Sequence, residues 1–329
     1  MALLGRSAAG PHLDAFLPAA VRTPGTATLV RIGDVVIGGP RVPVLAGPCA
    51  AEPGYLDHAI AVAETGAAVL RGCVLKPRTR PQSFQGLGHE GAPLLDEARR
   101  RTGLPIIAEP LTVEDIDWLM PHTDAFLIGA RSMQNTPLLR AAGQSGRPVV
   151  LKRAFSATYD EWLGAAEYIL AEGNDQVVLC ERGIRSFETT TRNTLDISAI
   201  VALRERTPLP IIVDPSHASG RGAWVSALSL AAVAGGADGL LVECHPHPAE
   251  SWCDPLQAIT PEQLRPLIEA VNFMAAVVRP LPATGPDAAG SAAAAAAAAQ
   301  GLAAWASQLQ AVATETVAGE AGTRIGSRG

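Results

Sequence analysis

Eight short runs of Val, Ile, Leu and Ala recur between residues 42 and 243, and each leads into a polar group suited to holding phosphate or metal. In order these groups are Cys49, Arg71 with Lys76, Glu109, Arg131, Lys152, Arg182, His217 and Glu243. One architecture produces that regularity: a closed (β/α)8 TIM barrel, whose parallel strands all aim their C-terminal ends at one mouth. The strand candidates are 42–46, 68–71, 105–108, 125–128, 148–151, 176–180, 210–213 and 239–242. They are continuous apolar runs rather than alternating ones, as expected when both faces of a strand are buried. Helix-patterned stretches lie between them, among others 55–65, 112–120, 156–170, 196–206 and 223–234. Thr112 and Ser156 read as N-terminal caps followed by acidic first turns. Strand–helix alternation calls for a parallel sheet. An open doubly wound sheet is the alternative, but it collects ligands at its switch point, whereas here every strand end carries chemistry.

A barrel of this kind takes about 250 residues. The 329-residue chain therefore divides into a tail at 1–27, a barrel domain at 28–282 and a second tail at 283–329. Two β-rich runs around Gly33-Asp34 open the barrel domain as a hairpin that plugs its N-terminal end. A helix from 261 to 277 closes it. The alanine-rich C-terminal tail has the composition for one helix over 291–317, with Leu302, Trp305 and Leu309 on a face. Propensity alone makes such helices marginal, so a partly ordered tail is the plainer expectation.

An apolar content of 48% supports a real core, and a net charge of −6 argues against nucleic-acid binding. The cations gather at strand ends, where a positive pocket in an acidic protein focuses small anions. Five cysteines form no disulfide framework. Neither a signal peptide nor a membrane span is evident outside the alanine tract, so the expected setting is a reducing cytoplasm.

The polar ends fall into two sets. Cys49, His217, Glu243 and the following Asp254 combine a thiolate, an imidazole and two carboxylates, a mixed set for one divalent ion such as Mn²⁺, Fe²⁺, Co²⁺ or Zn²⁺. Barrel closure alone would bring the first three together, since strands one and eight are neighbours, as are seven and eight. A cysteine after a strand is by itself usually a small buried residue. Only the four positions jointly favour a metal. Cys244 should face the core, having the opposite parity to Glu243. Cys253 reads as a non-ligand, His245 as an outer partner of the ligands, and His247 as a solvated loop residue.

The second set is Arg71, Lys76, Arg131, Lys152 and Arg182, whose mutual repulsion in a concave mouth must be offset by bound anions. Lys76-Pro-Arg-Thr79 adds a further anion site, with Arg78 and Thr79 held by proline. Glu109 reads either as a partner orienting the arginines or as a participant in proton transfer.

These residues resemble one family. Gly47-Pro-Cys-Ala, Leu70-Arg-Gly, Lys76-Pro-Arg-Thr, Ser83-Phe-Gln-Gly-Leu-Gly, Ile128-Gly-Ala-Arg, Gln134-Asn, Leu151-Lys-Arg, Glu181-Arg-Gly-Ile-Arg, Asp214-Pro-Ser-His and Ala237-Asp-Gly-Leu-Leu-Val-Glu are similar to motifs of class I 3-deoxy-D-arabino-heptulosonate 7-phosphate synthases, in the microbial subgroup allied to octulosonate-phosphate synthases. The resemblance spans residues 30–264. It implies a transferase, first in the shikimate pathway, that condenses phosphoenolpyruvate with erythrose 4-phosphate, acts as a homo-oligomer (dimer or tetramer) and uses one divalent metal ion. It also implies roles. Arg71, Lys76, Arg131, Lys152 and Arg182 hold phosphoenolpyruvate, with Glu109 and Ala130 among the substrate-contacting positions. Arg78 and Thr79 hold the aldose phosphate. Cys49, His217, Glu243 and Asp254 bind metal. Lys76, Cys49 and His217 are catalytic, Lys76 donating to the developing alkoxide.

The chain departs from the family at Arg80 (usually Ser), Gln82 (commonly Tyr), Ala154 (usually Gly) and Thr136 (often Phe). Arg80 can add a contact to the aldose phosphate or change acceptor preference. The alternatives are a synthase using another aldose phosphate, a paralogue of a specialised pathway, and a non-catalytic barrel scaffold. Octulosonate-phosphate synthases typically carry Lys-Ala-Asn-Arg-Ser where this chain has Lys-Pro-Arg-Thr. A scaffold would be marked by a lost metal ligand. The short flanking segments give the further expectation of weak or absent inhibition by aromatic amino acids.

Overall fold

A computed structural model describes residues 20–21, 27–78 and 80–279. The expected tails, including the helix over 291–317, and Thr79 lie outside the described residues.

Strands β1 (Val30–Ile32) and β2 (Val35–Ile37) pair antiparallel around Gly33, whose φ of 57° the turn requires. Eight parallel strands follow: β3 (Val44–Gly47), β4 (Val69–Arg71), β5 (Ile106–Ala108), β6 (Ala125–Ile128), β7 (Val149–Lys152), β8 (Val177–Glu181), β9 (Ile211–Val213) and β10 (Gly239–Glu243). They close in the order β10-β3-β4-β5-β6-β7-β8-β9. The helices are α1 (Tyr55–Ala63), α2 (Ala92–Thr102), α3 (Val113–Leu119), α4 (Thr136–Gln144), α5 (Tyr159–Leu170), α6 (Ile197–Arg204), α7 (Pro215–Ser219), α8 (Gly222–Ala234) and α9 (Pro261–Val278). Among the described residues no helix is long and apolar enough to cross a membrane.

The strands begin one or two residues later than their apolar runs suggest where a proline leads in. Pro43, Pro105, Pro148 and Pro210 have no N–H to give the ladder, yet their carbonyls accept from Leu240, Leu70, Phe126 and Leu179 of the neighbouring strand. Thr112 caps α3 with a capping box, but α5 is capped by Thr158 rather than Ser156. Thr158 is the hydroxyl placed three residues before an acid, Glu161, that can return the bond to the cap N–H.

Alternation along each strand separates two cores. Leu45, Val69, Ile107, Leu127, Val150, Val178, Ile212 and Leu241 fill the barrel interior and continue into Val30, Ile32 and Ile37 of the hairpin. The hairpin thus seals the N-terminal end, where Gly33 abuts Pro105. The intervening residues (Val44, Leu70, Ile106, Phe126, Val149, Leu179, Ile211 and Val242) meet the helices. Continuing the inner parity to the C-terminal rim gives Arg71, Glu109, Lys152, Arg182, Asp214 and Glu243. Cys244, of the outer parity, is buried in the helix-facing core as expected.

Candidate active site and metal-ligand cluster

Cys49, His217, Glu243 and Asp254 bring one ligand atom each to within 4.8 Å of one another. Cys49 follows β3, whose Gly47 is in register with Glu243 at the end of β10. Gly47 has φ 151°, and a Cβ there would lie 2.7 Å from the carbonyl oxygen of Arg71, so only glycine lets the chain turn into Pro48-Cys49. His217 sits in α7, directly after β9, the other neighbour of β10. Asp254 arrives from the loop after β10. Nε2 of His217 is 3.1 Å from Oε1 of Glu243 and 4.0 Å from Oδ2 of Asp254, and Sγ of Cys49 is 3.3 Å from that same Asp254 oxygen.

The charge states suit a cation. Burial drives the imidazole of His217 down to about 3, against the pull of Asp214 and Glu243, so the ring is neutral. Its Nδ1 is 2.7 Å from Oδ2 of Asp214, which assigns the proton to Nδ1 and leaves the Nε2 lone pair facing Glu243. Asp254 is held below the ordinary carboxylate value: burial opposes ionisation, but Arg192 at 3.2 Å, together with Lys76, outweighs it. Burial, the contact with Cys253 and the Glu243 carboxylate push the Cys49 thiol well up. A divalent ion would reverse that last shift, since coordination deprotonates a thiol.

Beside the cluster lies a cavity of about 210 Å³, with cations from the ends of β4, β6, β7 and β8 and the loops that follow them in its wall: Lys76, Arg78, Arg131, Lys152, Arg182 and Arg192. Ala130 and Glu109 line it too, as does Arg80. The ring of Phe155 lies 4.7 Å from the Arg182 guanidinium and 5.5 Å from that of Arg131, a platform that holds both planes. Lys76 is buried and pairs with Glu109 at 3.7 Å. Burial disfavours its charge, but Cys49 and Glu109 prevail and raise it above the ordinary lysine value. Glu109 lies flat against Gly129, where a Cβ would come within 2.0 Å of its Oε1.

Arg71 departs from the expected arrangement. It is absent from the cavity wall and lies beneath, 1% exposed. Nη1 is 2.7 Å from Oε1 of Glu243 and Nη2 is 3.8 Å from Sγ of Cys49, while Nε has no partner. Arg71 therefore touches two residues of the ligand cluster. Cys253 sits with Sγ 3.1 Å from that of Cys49 and accepts from Arg78. His245 turns away from the cluster and bonds Glu52 instead. His247 is exposed.

Several supporting residues carried little sequence signal. Gln257 donates to Oε2 of Glu243 at 2.8 Å and accepts from Arg192 at 2.6 Å. The first ties the loop after β10 back to the strand's own end and the second joins it to the loop after β8, and no local pattern marks either. Asp214 was within reach of a parity argument: it continues the inner face of β9 and caps α7 three residues before His217.

Residues 21–277 match the model of the DAHP synthetase I family. Over 250 residues the chain is 44% identical to phospho-2-dehydro-3-deoxyheptonate aldolase of Thermotoga maritima, covering 75% of this chain and 74% of that protein. A 2-dehydro-3-deoxyphosphooctonate aldolase of Syntrophotalea carbinolica is 32% identical over 274 residues, 76% of this chain and 97% of the relative. A crystal structure of the Thermotoga maritima DAHP synthase superposes with a TM-score of 0.73 at 43% identity, covering 77% of this chain and 74% of that one. A truncated form of the enzyme from the same organism gives 0.71 at 40% identity, with 77% and 94% covered.

Proposed function

Since the chain belongs to the DAHP synthetase I family, we infer that it is the metal-dependent transferase joining phosphoenolpyruvate to erythrose 4-phosphate, with release of inorganic phosphate. The product is 3-deoxy-D-arabino-heptulosonate 7-phosphate, and the step opens the shikimate pathway. The observation carrying this reading is the adjacency of a four-donor cluster and a cation-walled cavity at one barrel mouth.

Cys49, His217, Glu243 and Asp254 fit one divalent ion: the donors are mutually close, His217 offers a bare Nε2, and three of the four residues are buried. When bound, such an ion supplies Lewis acidity toward an aldehyde oxygen. The borderline donor set suits Mn²⁺, Fe²⁺, Co²⁺ or Zn²⁺.

The chain's own residues do the rest. Arg131, Lys152 and Arg182 clamp the phosphate and carboxylate of phosphoenolpyruvate, with Ala130 and Glu109 in the same wall. Arg78 and Thr79 take the aldose phosphate. Arg71, paired with Glu243 at 2.7 Å, is the remaining cation assigned to phosphoenolpyruvate, and its Nε is without a partner. Lys76, protonated and in the cavity wall, donates to the alkoxide that develops as the enol carbon bonds to the aldehyde carbon. Its partner Glu109 places a counter-charge 3.7 Å away.

The same reading includes a catalytic domain over 28–282 and a reducing, cytoplasmic setting, supported by five free buried thiols. It also includes a homo-oligomer, dimer or tetramer, in which a second copy covers exposed Phe187 and Leu256; sedimentation decides this. Phosphoenolpyruvate consumption with erythrose 4-phosphate, measured after chelation and again with each metal restored, tests the whole. Activity unaffected by exhaustive chelation would sink it.

One observation favours a second acceptor. Arg80, where the family usually has Ser, lines the cavity and adds a cation. Steady-state rates with arabinose 5-phosphate and erythrose 4-phosphate, in the wild type and in Arg80→Ser, separate the two readings.

A further inference from the structure

Glu52 is buried outside both the cavity wall and the four-donor cluster, yet both of its oxygens are committed. Oε1 lies 2.8 Å from Nε2 of His245, and Oε2 accepts from the backbone N–H of Trp252 at 2.8 Å. The ring's other nitrogen settles where the proton sits. Nδ1 of His245 accepts from the backbone N–H of His247 at 2.9 Å, so Nε2 carries the hydrogen and donates it to Glu52. One carboxylate therefore ties three points together. They are the loop leaving β3 just past Cys49, the start of the loop leaving β10 just past Glu243, and the far end of that loop just before Asp254.

Asp254 explains why such a tie is needed. With φ 52° it is the one non-glycine residue at positive φ among the described residues. Aspartate tolerates the left-handed region better than most residues, but the conformation still costs energy that its surroundings must offset. Upstream, Ser251 and Cys253 close a small turn, Ser251 Oγ donating to the Cys253 carbonyl at 3.0 Å, with Trp252 at its centre held by Glu52.

Glu52 and His245 also lie near His58, and polar atoms of the three fall within 4.8 Å of one another. A second metal site there meets a chemical obstacle. With Nδ1 of His245 already accepting, ligation through Nε2 would strip the ring of its only N–H, and neutral imidazole cannot do both.

We propose that Glu52 is a positioning residue: it locks the loop carrying Asp254 to the loop carrying Cys49, setting the two ligands at the spacing a divalent ion requires. The proposal rests on the metal reading above and deepens it.

The test is a titration of Co²⁺ into the chelated full-length protein, followed by visible absorption. A cobalt–thiolate charge-transfer band reports Cys49, and the ligand-field bands report the remaining coordination. Glu52→Gln is expected to weaken Co²⁺ binding by about 10–100-fold, the size of effect seen when an outer partner of a metal site is lost. The thiolate band should persist, the ligand-field bands should change, and saturating Co²⁺ should restore most of the turnover. His245→Gln, whose amide can donate to the same oxygen, should bind Co²⁺ nearly as the wild type does. His245→Phe should bind more weakly. A purely structural role would lower the unfolding midpoint and leave the affinity of the folded variant unmoved, and that result overturns the proposal. If Glu52→Gln does not fold, the His245 pair decides: equal affinities for Phe and Gln overturn it. A wild type that shows no cobalt–thiolate band removable by Cys49→Ala overturns the metal reading itself, and the clamp with it.

Discussion

Nδ1 of His217 and Nζ of Lys152 share a single oxygen, Oδ2 of Asp214, at 2.7 and 2.5 Å. One buried carboxylate thus orients a ring of the ligand cluster and a cation of the cavity wall. Removing its charge by Asp214→Asn is expected to weaken metal binding by about 10–100-fold, because the ring loses its fixed tautomer. The same change leaves Lys152 buried without its counter-charge, which costs about 3–5 kcal/mol. Calorimetric metal titration and urea unfolding of the chelated protein read the two effects separately. A variant that keeps both affinity and stability would refute this assignment.

Cys49 is the soft donor of the cluster. Cys49→Ala should lose at least the upper end of the 10–100-fold affinity range set by outer partners, being itself a ligand. Phosphate release from phosphoenolpyruvate and erythrose 4-phosphate should fall in step at limiting metal. Release at the wild-type rate would show that turnover does not need the Cys49 thiolate.

Gly129→Ala places a methyl 2.0 Å from Oε1 of Glu109. The carboxylate must leave, and Lys76 loses the acid that is 3.7 Å away. Overpacking of this kind costs about 1–3 kcal/mol. We expect a larger drop in kcat than in the affinity for phosphoenolpyruvate, measured by steady-state kinetics. A reversal of that split would place the role of Glu109 in binding instead.

Acid should destabilise the chelated protein through His217. Its folded value is lowered from 6.5 to about 3, so the unfolded chain binds the extra proton first. Stability is therefore complete above the unfolded value and is lost as pH falls from about 6.5 toward 3. At about 1.4 kcal/mol per unit, the part lost by pH 5 is on the order of 2 kcal/mol. Urea midpoints at pH 7 and pH 5 check this, and His217→Gln should flatten the difference. A slope unchanged by His217→Gln would move its origin to other groups.

Much of this site could be read before any coordinates, because a barrel converts sequence order into position. Inner parity carried Arg71, Lys152, Arg182 and Glu243 to the rim without knowledge of a single contact. Parity says which way a side chain points but not how far it reaches. Arg71 accordingly turned out to pair with Glu243 beneath the cavity. The Glu52–Trp252 and Gln257–Glu243 bonds were illegible for a different reason: each has at least one partner in an irregular loop whose geometry follows no period. The strand starts were misjudged at prolines, which are apolar enough to extend a run but lack the N–H that pairing needs.

The β1–β2 hairpin caps a barrel whose interior is already solid with side chains. Val30, Ile32 and Ile37 extend that packing to the floor, so the cavity communicates with solvent at the opposite, C-terminal mouth and the hairpin acts on the site only by stiffening the strands beneath it.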